Sequence, residues 1–151
     1  MTSPQRDESG LEQIQRWMTE TGSYGMWANL GMRVVDAGPG EATVAASPTA
    51  EQHGQQSTRG ALLHGGVLAT VADAAMAAAA RTLCGPGEGV ATAQLQVEYL
   101  RPAPPGPLRA HGEVRHRGRS IFRCRAVITQ GEVTVGEASA VVSLLRRKEE
   151  A

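Results

Sequence analysis

Residues 60–81 limit what this chain can fold into. The run reads Gly60-Ala-Leu-Leu-His64-Gly65-Gly66-Val-Leu-Ala-Thr-Val-Ala-Asp73-Ala-Ala-Met-Ala-Ala-Ala-Ala-Arg81. It opens on a glycine-rich turn and continues through strong helix formers, with no Pro or Gly until Gly85. The spacing predicts a long helix ending near Leu83, before the Cys84-Gly-Pro-Gly-Glu-Gly89 breaker. Ala69, Ala72, Ala74, Ala75 and Ala77 to Ala80 give it almost no bulk, so other backbone can pack closely. A surface helix would carry more Glu, Lys or Arg. This one is expected to be buried on most sides, wrapped by a sheet.

Asp73 stands out on such a helix as the only acid between Gly60 and Gly87. A buried carboxylate is unfavourable unless paired, hydrogen-bonded or used. Either Asp73 lies on one exposed edge with its hydrogen bonds satisfied, or it faces a cleft and handles water or a proton. His64, Gly65 and Gly66 fall where the helix begins. The first turn leaves N–H groups unsatisfied and its dipole favours negative charge. Glycine lets a ligand approach this backbone closely. Together these residues offer an oxyanion site and a base, separated by roughly 13 Å along the helix. One chain cannot easily bring both to one substrate atom. Two antiparallel copies of the helix, in a dimer, can.

The remainder of the chain reads as one helix and a set of strands. Residues 1–10 are polar and expected to be flexible. Leu11, Ile14, Trp17 and Met18 recur at helical spacing and predict a short helix over about residues 11–20, ending near Gly22. Residues 32–36 and 41–47 read as strands joined by the Gly38-Pro39-Gly40 turn. Residues 48–60 read as a polar loop. Val90 to Leu100 reads as a strand in which Leu95, Val97 and Tyr99 alternate with Gln94, Gln96 and Glu98. The Pro-rich connector 101–107 stops it. Segments 108–117, 120–129 and 133–145 complete an antiparallel meander. Residues 146–151 form a polar C-terminal tail. With 151 residues, the chain forms a single domain over 11–145.

Composition narrows the function. Lys plus Arg and Asp plus Glu balance at 15 each, so net charge gives no sign of a nucleic-acid or anionic-membrane partner. Two cysteines, Cys84 and Cys124, provide neither metal-ligand spacing nor a disulfide framework, and a reducing cytoplasm is expected. The N-terminus lacks the pattern of a secretion signal, and no apolar stretch is long enough to span a bilayer. A Gly-x-Ser-x-Gly nucleophile elbow is missing.

The His64-Gly65-Gly66 turn, the Ala-rich helix and Asp73 resemble the signature of hotdog-fold acyl-CoA thioesterases, in the subgroup like the phenylacetate-pathway thioesterase. The resemblance covers about residues 30–145. It implies an α+β hotdog fold: a curved antiparallel β-sheet wrapped around one long central α-helix, here with a short N-terminal helix. It also implies a homodimer, or a homotetramer built as a dimer of dimers. The substrate would be an acyl- or aryl-CoA, with no metal and no cofactor besides the CoA of the substrate. The Gly65 N–H would polarise the thioester carbonyl. Asp73 from the partner chain would act as general base or nucleophile, and His64 would shape the turn. A polar residue before the turn often assists in such enzymes; Gln56 or Ser57 is the candidate, while Gln55 and His53 read as solvent or loop contacts. The resemblance also makes Thr92 a candidate to hydrogen-bond the carboxylate or water, although a strand Thr needs no such role. Gly66 belongs to the substrate-binding turn. Trp27 either lines the acyl pocket or packs in the core.

The basic cluster Arg115, His116, Arg117, Arg119, Arg123 and Arg125 reads as a solvated sheet edge or as a phosphate site, since Arg matches phosphate geometry. For CoA phosphates the candidates are Arg117 and Arg119, then Arg101. Two other readings stand beside hydrolysis: an enoyl-CoA hydratase or dehydratase on the same fold, and a non-catalytic CoA-thioester-binding domain.

Overall fold

The computed structural model describes residues 1–5, 7–20 and 24–148. Helix α1 spans Gly10–Trp17. It opens on a capping box, with the Ser9 side chain accepting from Glu12 N–H and the Glu12 side chain accepting from Ser9 N–H. It ends three residues before Glu20; the expected stop at Gly22 lies outside the described residues. Trp17 Nε1 donates to the Thr2 carbonyl at 3.1 Å, so the first residues run along this helix. Helix α2, Gly25–Leu30, ends at Gly31, whose φ of 57° is the left-handed cap that glycine adopts most readily.

Strands β1 (Arg33–Gly38) and β2 (Glu41–Ala46) form the expected hairpin around Pro39 and Gly40. The polar stretch after β2 is ordered into elements, which corrects its reading as a loop. Thr49 caps a single turn, α3 (Ala50–His53). Strands β3 (Gly54–Ser57) and β4 (Gly60–Leu63) pair as a separate small hairpin. Its first strand is polar and exposed, and its second, Gly-Ala-Leu-Leu, is apolar without alternation and ends on the buried Leu63. Helix α4, Gly65–Arg81, follows at once.

Strands β5 (Glu88–Tyr99), β6 (Leu108–Arg117), β7 (Ile121–Gln130) and β8 (Val133–Arg146) complete an antiparallel six-stranded sheet in the order β1-β2-β6-β7-β8-β5. β6, β7 and β8 form the expected meander. β5 pairs with β8 instead and lies on the outer edge, so the connector after Tyr99 crosses to the middle of the sheet.

The sheet curls around α4. Val71, Ala72, Ala75, Met76, Ala79 and Ala80 of α4 are fully enclosed, facing residues such as Val44, Ala110, Phe122, Ile128 and Val142. Close approach is possible because the sheet is also small where the helix crosses it: a Cβ on Gly112 of β6 would lie 2.5 Å from the Ala75 carbonyl oxygen. This is the hotdog fold, with one buried helix inside a curved antiparallel sheet and a short N-terminal helix beside it. None of its described helices is long and apolar enough to cross a membrane.

Candidate active site

The burial of α4 is uneven. Ala69, Thr70, Asp73, Ala74, Ala77 and Arg81 are only partly covered, and their spacing places them on one stripe of the helix. That stripe forms a wall of a cavity of about 460 Å³, closed by Trp17 and Trp27 on one side and by Val90 and Leu95 of β5 on the other. Asp73 opens into this mostly apolar space. Thr92 Oγ1 donates to Asp73 Oδ1 at 2.6 Å. A β-bulge explains the aim. The β5–β8 register slips between Thr92 and Gln94, leaving Ala93 as an extra residue. Without the slip, Thr92 would share a face with Gln94 and Gln96. With it, Val90 and Thr92 join Leu95, Val97 and Tyr99 on the face turned to α4.

The beginning of α4 forms a second recess, of about 320 Å³. His64 is the N-cap, and its Nδ1 accepts the Gly66 N–H at 2.9 Å, so in its neutral form the ring carries its proton on Nε2. The turn is held from two sides: His64 N–H donates to the His53 carbonyl and Leu63 N–H to the Ala103 carbonyl, both at 2.8 Å. The Gly65 carbonyl accepts from Tyr99 OH at 2.8 Å. A Cβ on Gly65 would lie 3.1 Å from the Tyr99 ring, so a side chain here fits only if that ring gives way by a few tenths of an ångström. The Gly65 N–H has no acceptor among the described residues, as expected for the first turn of a helix. Gln55, Tyr99 and Arg101 border the same recess.

Asp73 and Gly65 therefore open into two cavities with no lining residue in common. They lie about 12 Å apart along the helix axis. The structure brings Asp73, Thr92 and Trp27 together, and separately Gly65 and Arg101. Gly66 is exposed beside His64, its carbonyl accepting from Thr70 Oγ1. Ser57 is held in the β3–β4 turn, donating to the Gly60 carbonyl at 2.7 Å and accepting from Arg59 N–H. Gln56 is exposed, and it is Gln55 that borders the Gly65 recess. His53 is buried, with Nε2 2.7 Å from Asn29 Oδ1.

Among the basic residues, Arg115 pairs with Glu113 and Arg125 with Glu137. Arg117 and Arg119 are exposed near the opposite end of α4 from Arg101; Arg117 Nη2 donates to the Leu83 carbonyl at 3.2 Å. Glu41, His111 and Glu113 gather three potential ligand atoms within 4.8 Å of one another on the outer sheet face, away from both cavities. Sequence reasoning passed over Gln55 and Tyr99, which line the Gly65 recess, and Arg81, which lines the Asp73 cavity. A strand reading of 54–57 would have signalled Gln55, and the place of Arg81, eight residues after Asp73, would have signalled a shared helix face.

The thioesterase superfamily model matches residues 60–137, from the hairpin before α4 into β8. A solved protein of the thioesterase superfamily is 30% identical over 91% of this chain and 98% of its own, with a TM-score of 0.72. The E. coli PaaI protein of the phenylacetic acid degradation operon is 26% identical over 90% of this chain and 94% of its own, with a TM-score of 0.74. A thioesterase family protein from Silicibacter pomeroyi, at 21% identity, matches 92% of this chain and 100% of its own with a TM-score of 0.77, a likeness of fold. No curated protein matches. The chain belongs to the hotdog-fold thioesterase superfamily, among the proteins related to the phenylacetate-pathway thioesterases.

Proposed function

We propose that this protein hydrolyses acyl- or aryl-CoA thioesters to the free acid and CoA. One observation carries the reading: Asp73, held by the Thr92 hydroxyl at 2.6 Å, opens into a mostly apolar cavity large enough for an acyl group. A carboxylate in such a place is suited to proton transfer.

The active unit is a dimer, in which antiparallel α4 helices bring Asp73 of one chain to the Gly65 turn of the other. Support comes from β5, an edge strand of twelve residues with no strand paired to its outer side among the described residues. Leu95, Tyr99 and Leu100 on and beside it are exposed by 36%, 55% and 50%, a surface suited to burial in an assembly.

The thioester carbonyl oxygen points at the Gly65 N–H, where the helix dipole and the free donor stabilise the charge that develops on it. Tyr99, by holding the Gly65 carbonyl, fixes the Gly65–Gly66 peptide, the neighbour of the one that carries the Gly65 N–H. Asp73 takes a proton from water as its oxygen bonds to the carbonyl carbon. The tetrahedral intermediate then expels the CoA thiolate, which receives the proton from Asp73. Direct attack by Asp73 would give an anhydride that water cleaves, to the same products. Gln55 and Arg101 stand where the CoA arm enters. Arg117 and Arg119 are free to meet its phosphates from the partner's side. Two chains assemble further into a dimer of dimers. The two free thiols suit a cytoplasmic setting.

A panel of CoA thioesters scored by release of free thiol tests the reading. Asp73→Ala and Asp73→Asn are expected to lose nearly all turnover while remaining folded dimers. Full activity in either variant overturns the assignment.

A further inference from the structure

The cavity that holds Asp73 has a second charged wall. Arg81 lies two turns further along the same stripe of α4 and lines the same space. It has no carboxylate partner among the described residues. Its Nη1 donates to Gln13 Oε1 at 2.9 Å, and its guanidinium stacks over the Trp17 ring at 5.3 Å. Both partners are neutral. Gln13 is 2% exposed and its Nε2 has no acceptor, so the pair presents more donors than acceptors. Burial disfavours the charge on Arg81. A staple between α1 and α4 would account for the Trp17 stacking. It leaves unexplained a half-buried cation without a counter-charge at one end of an apolar cavity.

From this we infer that the cavity accepts acyl groups ending in a carboxylate, with Arg81 as the residue that binds the distal carboxylate. This rests on the thioesterase reading and names the substrate class: CoA thioesters of dicarboxylic acids. Between the two charged side chains, Ala74, Ala77, Trp27 and Leu95 provide an apolar passage for methylene groups. Asp73 and Arg81 are about 12 Å apart along the axis, and an arginine side chain on a helix leans back toward the N-terminus, so a chain of roughly six carbons spans them. The guanidinium offers a planar fork matched to a carboxylate. Asp73 repels that same group. A dicarboxylic acyl chain is thereby oriented, with its thioester at Asp73 and its free end at Arg81.

The test compares chains of equal length with and without the terminal charge: glutaryl against pentanoyl, adipoyl against hexanoyl, and suberoyl against octanoyl CoA. Wild-type enzyme is expected to favour the carboxylate at one of these lengths by about tenfold or more in kcat/KM. Arg81→Gln is expected to erase that preference, lowering kcat/KM for the carboxylate substrates about tenfold more than for their neutral counterparts, and Arg81→Lys to keep part of it. No preference at any length overturns the proposal. So does an Arg81→Gln variant, folded by circular dichroism, that slows both members of each pair equally. Calorimetric titration with free adipate and free hexanoate separates this from the hydrolytic reading. Binding of adipate that Arg81→Gln abolishes supports the subsite even where no thioester is cleaved. Hydrolysis of the neutral thioesters without selective adipate binding leaves the enzyme assignment standing and removes the subsite.

Discussion

Thr92 donates a hydrogen bond to a carboxylate, and at 2.6 Å it is a short one. Bonds to charged groups contribute about 1.5–3 kcal/mol, and here the larger effect is orientation of the Asp73 oxygens toward the cavity. Thr92→Val keeps the shape and removes the donor. It is expected to lower kcat about tenfold with KM little changed, and Thr92→Ser to restore most of the rate. Steady-state thioester assays decide; unchanged turnover in the valine variant means Thr92 does not position Asp73. Tyr99→Phe removes the bond to the Gly65 carbonyl in the same way and should slow turnover by a similar factor. The two thiols give a separate, pH-linked expectation. Burial raises Cys84 and pushes Cys124 up to about 11 from an ordinary 9.0. A folded thiol that stays neutral while the unfolded one ionises stabilises the fold below pH 9 and loses that contribution as pH climbs toward 11. Denaturant midpoints are therefore expected to fall across that window, and Cys124→Ser to flatten the fall. At this scale the opening of Asp73 into a cleft was legible, because a lone acid among alanines is conspicuous. Arg81 was not, because an arginine ending a helix already has an ordinary explanation in the helix dipole.

Two elements decide whether those residues meet. The first is α4, whose alanines and the glycine of β6 allow helix and sheet backbones to touch. Gly112→Ala would place a methyl 2.5 Å from the Ala75 carbonyl oxygen, so the helix must move off the sheet. Overpacking of this kind is expected to destabilise the domain by about 1–3 kcal/mol, measured by urea unfolding. A wild-type midpoint would show that the sheet yields there without strain. The second element is β5. Its alternation was readable from Gln94 to Tyr99, but the bulge at Ala93 was not, since the small residues before it give too little contrast to show the change of phase. Deleting Ala93 restores an unbroken pleat and shifts one side of the strand by one residue, which reverses its faces. Either Thr92 turns from Asp73 or Tyr99 turns from Gly65, and activity is expected to vanish in a chain that still folds. The small hairpin of β3 and β4 escaped for another reason. Sequence alternation reveals a strand through its buried side, and β3 is exposed at all but its first residue. Its polar run read as a loop, and the choice between Gln55 and Gln56 could not be made without its register.

For the whole molecule, the helix that makes the fold compact also holds its two chemical features apart. Asp73 and Gly65 line separate cavities, and an α-helix has no means of bending one toward the other over eight residues. The open side of β5 carries apolar side chains that the sequence marks as a core face, yet the single chain leaves them partly uncovered. The proposed dimer would meet both observations: a second copy placed by a two-fold axis would let each site take Asp73 from one chain and Gly65 from the other. Subunit mixing can test this without a structure of the complex. Asp73→Asn disables the carboxylate, and Gly65→Val disables the turn by crowding Tyr99. Each pure variant is expected to be inactive. After unfolding and refolding together, half of the dimers are mixed. In a mixed dimer with shared sites, one site carries both defects and the other carries neither. The mixture is then expected to recover about one quarter of wild-type activity. If each chain holds its own site, every site in the mixture retains one defect and nothing is recovered. Size-exclusion chromatography of differently tagged variants verifies that mixed dimers have formed, so an absence of recovery counts against the shared site rather than against the mixing.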